Sequence, residues 1–185
     1  NCNIALWSSE EYQARFVNTG GAYLLLPRYD TSVPLAVAWE GVTSNLKNTI
    51  DDFVKKNIDN IDINKIYIGG YSMGGKMTLR MAAGYPSYFA AAFPISPVYA
   101  PNNMELNNLI DMPIWFFWCK NDDYTSLNPI TVRTNWQYLM NISNCKEECR
   151  LSVFDTIYNS DYSVKTADGK NDIHNTWDAV CHDLF

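Results

Sequence analysis

The sequence predicts an α/β fold, a mostly parallel sheet with helices on both faces, and three observations carry that prediction. Strand-type segments alternate with helix-type segments along the whole chain, with no internal repeat and no low-complexity linker. A parallel sheet needs this alternation, because each strand must be carried back to the same end by a crossover. Runs such as AYLLLP (22–27) and PIWFFWCK (113–120) are continuously apolar, as expected of strands covered on both faces. The length of 185 residues, 47% of them hydrophobic, is enough for one core, so residues 1–185 are read as a single domain.

The elements follow in order. AYLLLP, behind Gly20 and Gly21, is the first strand. Residues 43–57 place Leu46, Ile50, Phe53 and Val54 at helical spacing, with Thr43 or Ser44 as the N-cap. KIYIGGY (65–71) is the next strand and runs through Ser72 into a helix that Gly84 and Pro86 end. FAAAFPIS (89–96) is a strand, MELNNLI (104–110) a short helix and PIWFFWCK a strand, with the polar loop NDDYTS after it. Residues 130–142 read as a helix, and RLSVFDTIY (150–158) alternates as a strand nearer the sheet edge should. A polar loop covers 159–172, and helical spacing returns over 175–185.

Twenty acidic against fourteen basic side chains, a formal charge of -6, leave no basic surface for a phosphate backbone and argue against nucleic-acid binding. No run has the length of a membrane span, and no basic segment followed by an apolar one opens the chain. Of the five cysteines (Cys2, Cys119, Cys145, Cys149, Cys181), Cys145 and Cys149 sit close enough in SNCKEECR for a local disulfide in an oxidising compartment. This tilts localisation toward the extracellular side while leaving it open. A zinc site is disfavoured, because Cys-x-x-x-Cys lacks a second ligand pair.

Gly70-Tyr71-Ser72-Met73-Gly74 matches G-x-S-x-G with a strand before it and a helix after it. A nucleophilic serine on so tight a strand-to-helix turn needs small neighbours, and a side chain at Gly70 or Gly74 is expected to clash. The Met73 N–H, at the positive end of the following helix, is placed to hold a tetrahedral oxyanion. Tyr71 flanks the nucleophile and is expected to touch substrate.

A serine hydroxyl needs a base, and the chain has two histidines, His174 and His182. His174 lies in the loop-like NDIHNTW after the last strand, where it can reach over the C-terminal sheet edge; His182 lies within the terminal helix. The third member should be a carboxylate just past a strand. Asp122 and Asp123 both qualify, and Asp155 is a rival set in an alternating strand. The order Ser, Asp, His is that of α/β-hydrolases.

At this point the chain resembles the esterase branch of the α/β-hydrolases that includes feruloyl and acetylxylan esterases, polyhydroxybutyrate-depolymerase-like enzymes and related phospholipase/carboxylesterases. The resemblance rests on GAYLLLPR (21–28), INKIYIGGYSMGGKMTLRMAAGYPSYFAAAFPIS (63–96), PIWFFWCKNDD (113–123) and HNTWDAV (174–180). In that family the strand matched by PIWFF leads into His-Gly-x-x-Asp; Trp118 to Asp122 hold those places, which implies Asp122 as the triad carboxylate and departs at the His-Gly pair. His-x-x-Trp near the C-terminus matches His174 and Trp177, and Trp177, with Trp39, Tyr71, Tyr99 and Tyr124, falls in or near expected loops above the sheet edge where aromatics can line an acyl or sugar pocket. Relatives also carry an apolar strand and a His-Gly-Gly loop, source of a second oxyanion N–H, ahead of the region matched by residues 1–16. The resemblance therefore implies that an N-terminal segment of the same protein, or a second chain, completes the sheet.

The implied activity is hydrolysis of carboxylic esters, small or polysaccharide-linked, by Ser72, Asp122 and His174 through an acyl-enzyme, with no metal or organic cofactor and no nucleic-acid or membrane partner. A prolyl-oligopeptidase-like peptidase shares the triad order, and a non-catalytic binding module on the same fold stays open as a further reading.

Overall fold

The computed structural model describes residues 21–27, 42–120, 122, 129–155, 176 and 180. The chain divides into two compact units, residues 1–53 with 185, and residues 54–184.

In the first unit, helix α1 (Val42–Lys56) starts and runs across the boundary. Leu46, Ile50 and Phe53 form its half-buried stripe, and Tyr23 meets Phe53 edge-on with ring centres 5.6 Å apart. Lys47 reaches Asp51 one turn on at 2.6 Å. Two expectations change here. The helix begins at Val42, so Thr43 and Ser44 lie inside it rather than capping it. Residues 21–27 form no regular strand: apolar composition makes a strand only where another strand accepts its N–H and C=O groups, and among the described residues no ladder includes AYLLLP.

The second unit holds a four-stranded parallel sheet in the order β1 (Tyr67–Tyr71), β2 (Ala91–Ile95), β3 (Trp115–Cys119) and β4 (Arg150–Phe154). The crossovers are α2 (Met73–Gly84), α3 (Asn103–Asn107) and α4 (Pro129–Ile142). This is the fold class expected from the alternation of elements. The order of strands in space follows their order in sequence, and because every pair is parallel all four C-terminal strand ends lie along one rim of the sheet.

Local chemistry sets each crossover. α2 packs on β1 and β2 and buries Met77, Leu79, Met81, Ala82 and Ala83. α3 opens with a capping box: the Asn102 carboxamide oxygen accepts from the N–H groups of Met104 and Glu105, and Glu105 accepts from the Asn102 N–H at 2.9 Å. α4 sets Trp136 edge-on to Phe116. Side chains alternate along β3, so Phe116 faces Trp136, while Phe117 on the other face stacks on Trp115, whose indole N–H donates to Ser152. The core gathers round fully buried Leu79, Ile95, Leu109, Ile114, Phe117 and Leu139.

The two edges of the sheet differ from its middle. Among the described strands β4 pairs with β3 alone, and it exposes Val153. At the other end β1 pairs with β2 alone among the described strands, and Tyr67 is 59% exposed. Among the described residues no helix is long and apolar enough to cross a membrane.

Candidate active site

Ser72 joins β1 to α2 with φ 56° and ψ −112°. A non-glycine residue pays for a positive φ, and such strain is kept where a side chain must be held in one direction. The turn is clamped from three sides. The Ser72 N–H donates to Ile95 O at 2.9 Å, and its carbonyl accepts from Lys76 N–H at 3.0 Å and Val98 N–H at 3.3 Å. Ser72 thus stands on the first strand while its backbone is tied to the end of the second.

Glycine makes this turn possible at two places, one of them different from the expectation. A Cβ on Gly70 would lie 2.6 Å from the backbone carbonyl of Gly74, so no side chain fits between strand and helix there. A Cβ on Gly74 would meet nothing within 4 Å, which corrects the expected clash at that position. The second tight approach is at Gly75, where a Cβ would sit 2.9 Å from Pro97 Cα and 3.0 Å from Ile95 O. Gly75 lets α2 start directly against the β2 end. Gly74 contributes only the bare backbone against which Gly70 packs.

Met73 is the first residue of α2, so its N–H belongs to the first turn, whose N–H groups have no partner inside the helix. Tyr71 closes the β1–β2 ladder opposite Ile95 and is half-buried beside Ser72.

Asp122 lies three residues past β3, with its N–H donating to Cys119 O at 3.0 Å and only 2% of its surface exposed. A carboxylate is buried to that extent only where partners replace its lost water. Asp155, the rival, lies just past β4 on the surface, where its exposed carboxylate pairs with the exposed Lys120 at 3.5 Å. The structure therefore separates the two carboxylates by burial. Asp123, His174, Trp177 and His182 lie outside the described residues.

Two residues that sequence reasoning passed over stand at the same rim. Ser96 follows β2 with φ 39° and is fully buried. Its N–H donates to Phe117 O at 2.9 Å, and its hydroxyl bonds that of Thr176, also fully buried. Thr176 is two residues after His174. The Thr176 hydroxyl is thereby held beside the end of β2, next to Ile95, the acceptor of the Ser72 N–H. The sequence held one signal for this, the hydroxyl residue within His-x-Thr-Trp.

Beyond Ser96 the loop carries Tyr99, whose hydroxyl donates to Glu105 and whose ring lies under the Lys76 ammonium at 5.5 Å. Burial, and then the Glu105 carboxylate, push the Tyr99 hydroxyl up to about 12. It stays a protonated donor across the physiological range. Among the described residues no group of three or more His, Cys, Asp or Glu side chains could hold a metal ion.

The strand, strained serine, helix and buried carboxylate follow the arrangement of the α/β-hydrolase fold. The model of a phospholipase/carboxylesterase family matches residues 39–164, well over half of the chain. The chain belongs to that family. Among solved structures it is similar to a thermostable esterase, with 26% identity and a TM-score of 0.55 over 74% of this chain and 34% of that one. A predicted CIB-like hydrolase from Thermoplasma acidophilum is more distant, with 18% identity and a TM-score of 0.46 over 77% of this chain and 61% of that one. The chain thus spans about a third of the length of the thermostable esterase it matches. No curated protein matches it. Within the family match fall β1 to β4, Ser72 and Asp122; His174 and Trp177 lie beyond it.

Proposed function

We propose that this chain is the nucleophile-bearing part of a carboxylic ester hydrolase that works through an acyl-enzyme, with Ser72 as nucleophile, His174 as base and Asp122 as the orienting carboxylate. The observation that carries the reading is Ser72 itself, held at positive φ between a strand and a helix whose close approach requires Gly70 and Gly75. Asp122 supports it as a buried carboxylate past the second strand along from β1. The Ser96–Thr176 contact supports it further, since Thr176 is two residues from His174 in the chain and Ser96 follows Ile95, which accepts the Ser72 N–H.

In this mechanism the Ser72 hydroxyl oxygen attacks the ester carbonyl carbon as His174 takes its proton. The developing oxyanion is held by the Met73 N–H, and the collapsing intermediate expels the alcohol, which receives that proton from His174. Water then repeats the sequence on the acyl-enzyme, frees the acid and restores Ser72. Asp122 keeps His174 in the productive tautomer and stabilises the imidazolium. Tyr71 and Trp177 contact the acyl or alcohol group. Substrates are small aryl or alkyl esters or esters on polysaccharides, a class that rests on the family resemblance.

Residues 1–185 act on this reading as one catalytic domain. The outer edge of β1, which no described strand covers, pairs with a strand from an N-terminal segment of the same protein or from a second chain. A fluorophosphonate probe tests the proposal: it should label Ser72 in the folded protein and leave Ser72→Ala unlabelled. A folded protein that takes no label at Ser72 would leave the non-catalytic binding module as the better reading.

A further inference from the structure

We propose that Cys145 and Cys149 form a dithiol–disulfide site, oxidised by thiol–disulfide exchange with a small disulfide of the glutathione-disulfide class. The site shares no residue with the ester chemistry.

The segment between α4 and β4 folds as two overlapping turns: the Glu148 N–H donates to Cys145 O at 3.1 Å and the Cys149 N–H to Lys146 O at 3.2 Å. These turns bring both thiols to one side. Their Sγ atoms stand 3.9 Å apart, with the Ser143 hydroxyl 3.3 Å from Cys145 Sγ and 4.0 Å from Cys149 Sγ. A disulfide has its sulfurs about 2.05 Å apart, so side-chain rotation has to close a gap of roughly 1.9 Å.

The backbone on either side is already fixed. Asn144 N–H donates to Ile110 O at 2.8 Å and Arg150 N–H to Ile114 O at 2.9 Å, and the Asn144 carboxamide reaches Asp111 at 2.7 Å. As donors the thiols make only long contacts, to Ile110 O at 3.9 Å and Met112 O at 3.7 Å, and the Ile114 backbone N–H bonds the Cys149 sulfur. Little is lost when the S–H groups disappear. Cys119 is no competitor: it pairs with Phe154, four positions along β4 from Arg150, on the order of 13 Å away along the strand. A tetrahedral metal centre needs four ligands, and no third His, Cys, Asp or Glu joins the two thiols among the described residues.

The two thiols divide the reaction between them. Cys145 is half-buried, whereas Cys149 is 5% exposed, and burial pushes its thiol up, which makes it the poorer first nucleophile. The Cys145 thiolate attacks one sulfur of glutathione disulfide, forms a mixed disulfide and releases one glutathione thiolate. The Cys149 thiolate then attacks Cys145 Sγ, the mixed S–S bond breaks, and the second glutathione leaves. Two protein thiols lose two electrons and two protons, and one glutathione disulfide becomes two glutathione thiols. The bond closes a short loop at the N-terminal ends of β3 and β4, the rim opposite Ser72.

Trypsin gives a direct readout, because cleavage after Arg133, Lys146 and Arg150 puts the two cysteines on separate peptides, 134–146 and 147–150. The folded chain is incubated with glutathione disulfide, quenched in acid, blocked with N-ethylmaleimide, digested and weighed. The expected result is the two peptides joined, two hydrogens lighter than the pair of free thiols, with both maleimide labels lost. Recovery of both peptides singly with maleimide attached, or of either cysteine joined to Cys119, overturns the proposal. Cys149→Ser should stop with one glutathione on Cys145, and Cys145→Ser should leave Cys149 free of glutathione. Should either variant fail to fold, the wild-type time course decides the order: glutathione must appear on 134–146 before the joined pair, and its appearance on 147–150 instead overturns the assignment of Cys145 as attacker.

Discussion

Ser96 and Thr176, 80 positions apart, bond hydroxyl to hydroxyl in a site that excludes solvent from both. One of the pair ends β2, whose last residue accepts the Ser72 N–H. The other is two residues from His174.

Thr176→Val keeps the shape and removes the hydroxyl. Leaving the Ser96 oxygen buried without that partner should cost about 1 to 3 kcal/mol of stability. If the bond also positions His174, kcat for a p-nitrophenyl ester should fall by roughly ten- to a hundredfold with KM little changed, and Thr176→Ser should restore it. A lowered melting temperature with wild-type kcat would make the bond purely structural.

The triad assignment makes a sharper demand. Ser72→Ala and His174→Ala should each cut ester hydrolysis by at least about three orders of magnitude while the far-ultraviolet spectrum is unchanged, because triad members act as a unit. His182→Ala should retain nearly full activity. An inactive His182→Ala beside an active His174→Ala would transfer the role of base to His182.

Much of this was legible in the sequence, and the misses have physical causes. β1 to β4 and the helices between them could be read because their apolar periodicity and their glycine and proline boundaries are local properties. AYLLLP could not be placed by the same means, since ladder formation depends on a partner strand and not on the segment's own composition. The motif G-x-S-x-G led to Ser72, but motif spacing says nothing about which glycine is squeezed. Only the approach of α2 to Pro97 and Ile95 distinguishes Gly75 from Gly74. Ser96 escaped notice because its role rests on a contact with Thr176 that no local pattern encodes.

For the carboxylate, Asp122→Asn should leave the fold in place and lower kcat by up to roughly four orders of magnitude, since an amide holds the imidazole in the wrong tautomer. Asp123→Asn should behave as wild type in the same ester assay. A loss confined to Asp123→Asn would shift the loop register by one residue and remove the reason for choosing the buried carboxylate.

The glycines around Ser72 should separate by stability rather than by conservatism of the change. Alanine at Gly70 drives a methyl to 2.6 Å from the Gly74 carbonyl group, and alanine at Gly75 drives one to 2.9 Å from Pro97 Cα. Both obstacles are backbone, so neither can swing aside as a side chain would; α2 must move off the β1 and β2 ends, at a cost of about 1 to 3 kcal/mol or more. Gly74→Ala meets open space at the second residue of α2, where alanine is favoured over glycine by at most about 1 kcal/mol. Thermal unfolding of the three variants should therefore put Gly74→Ala at or above wild type and the other two several degrees below it. The helix displaced in those two is the one that begins directly after Ser72, so fluorophosphonate labelling should weaken in parallel. A Gly74→Ala protein as unstable as Gly70→Ala would mean that α2 does not approach the sheet in the way that holds Ser72 at positive φ.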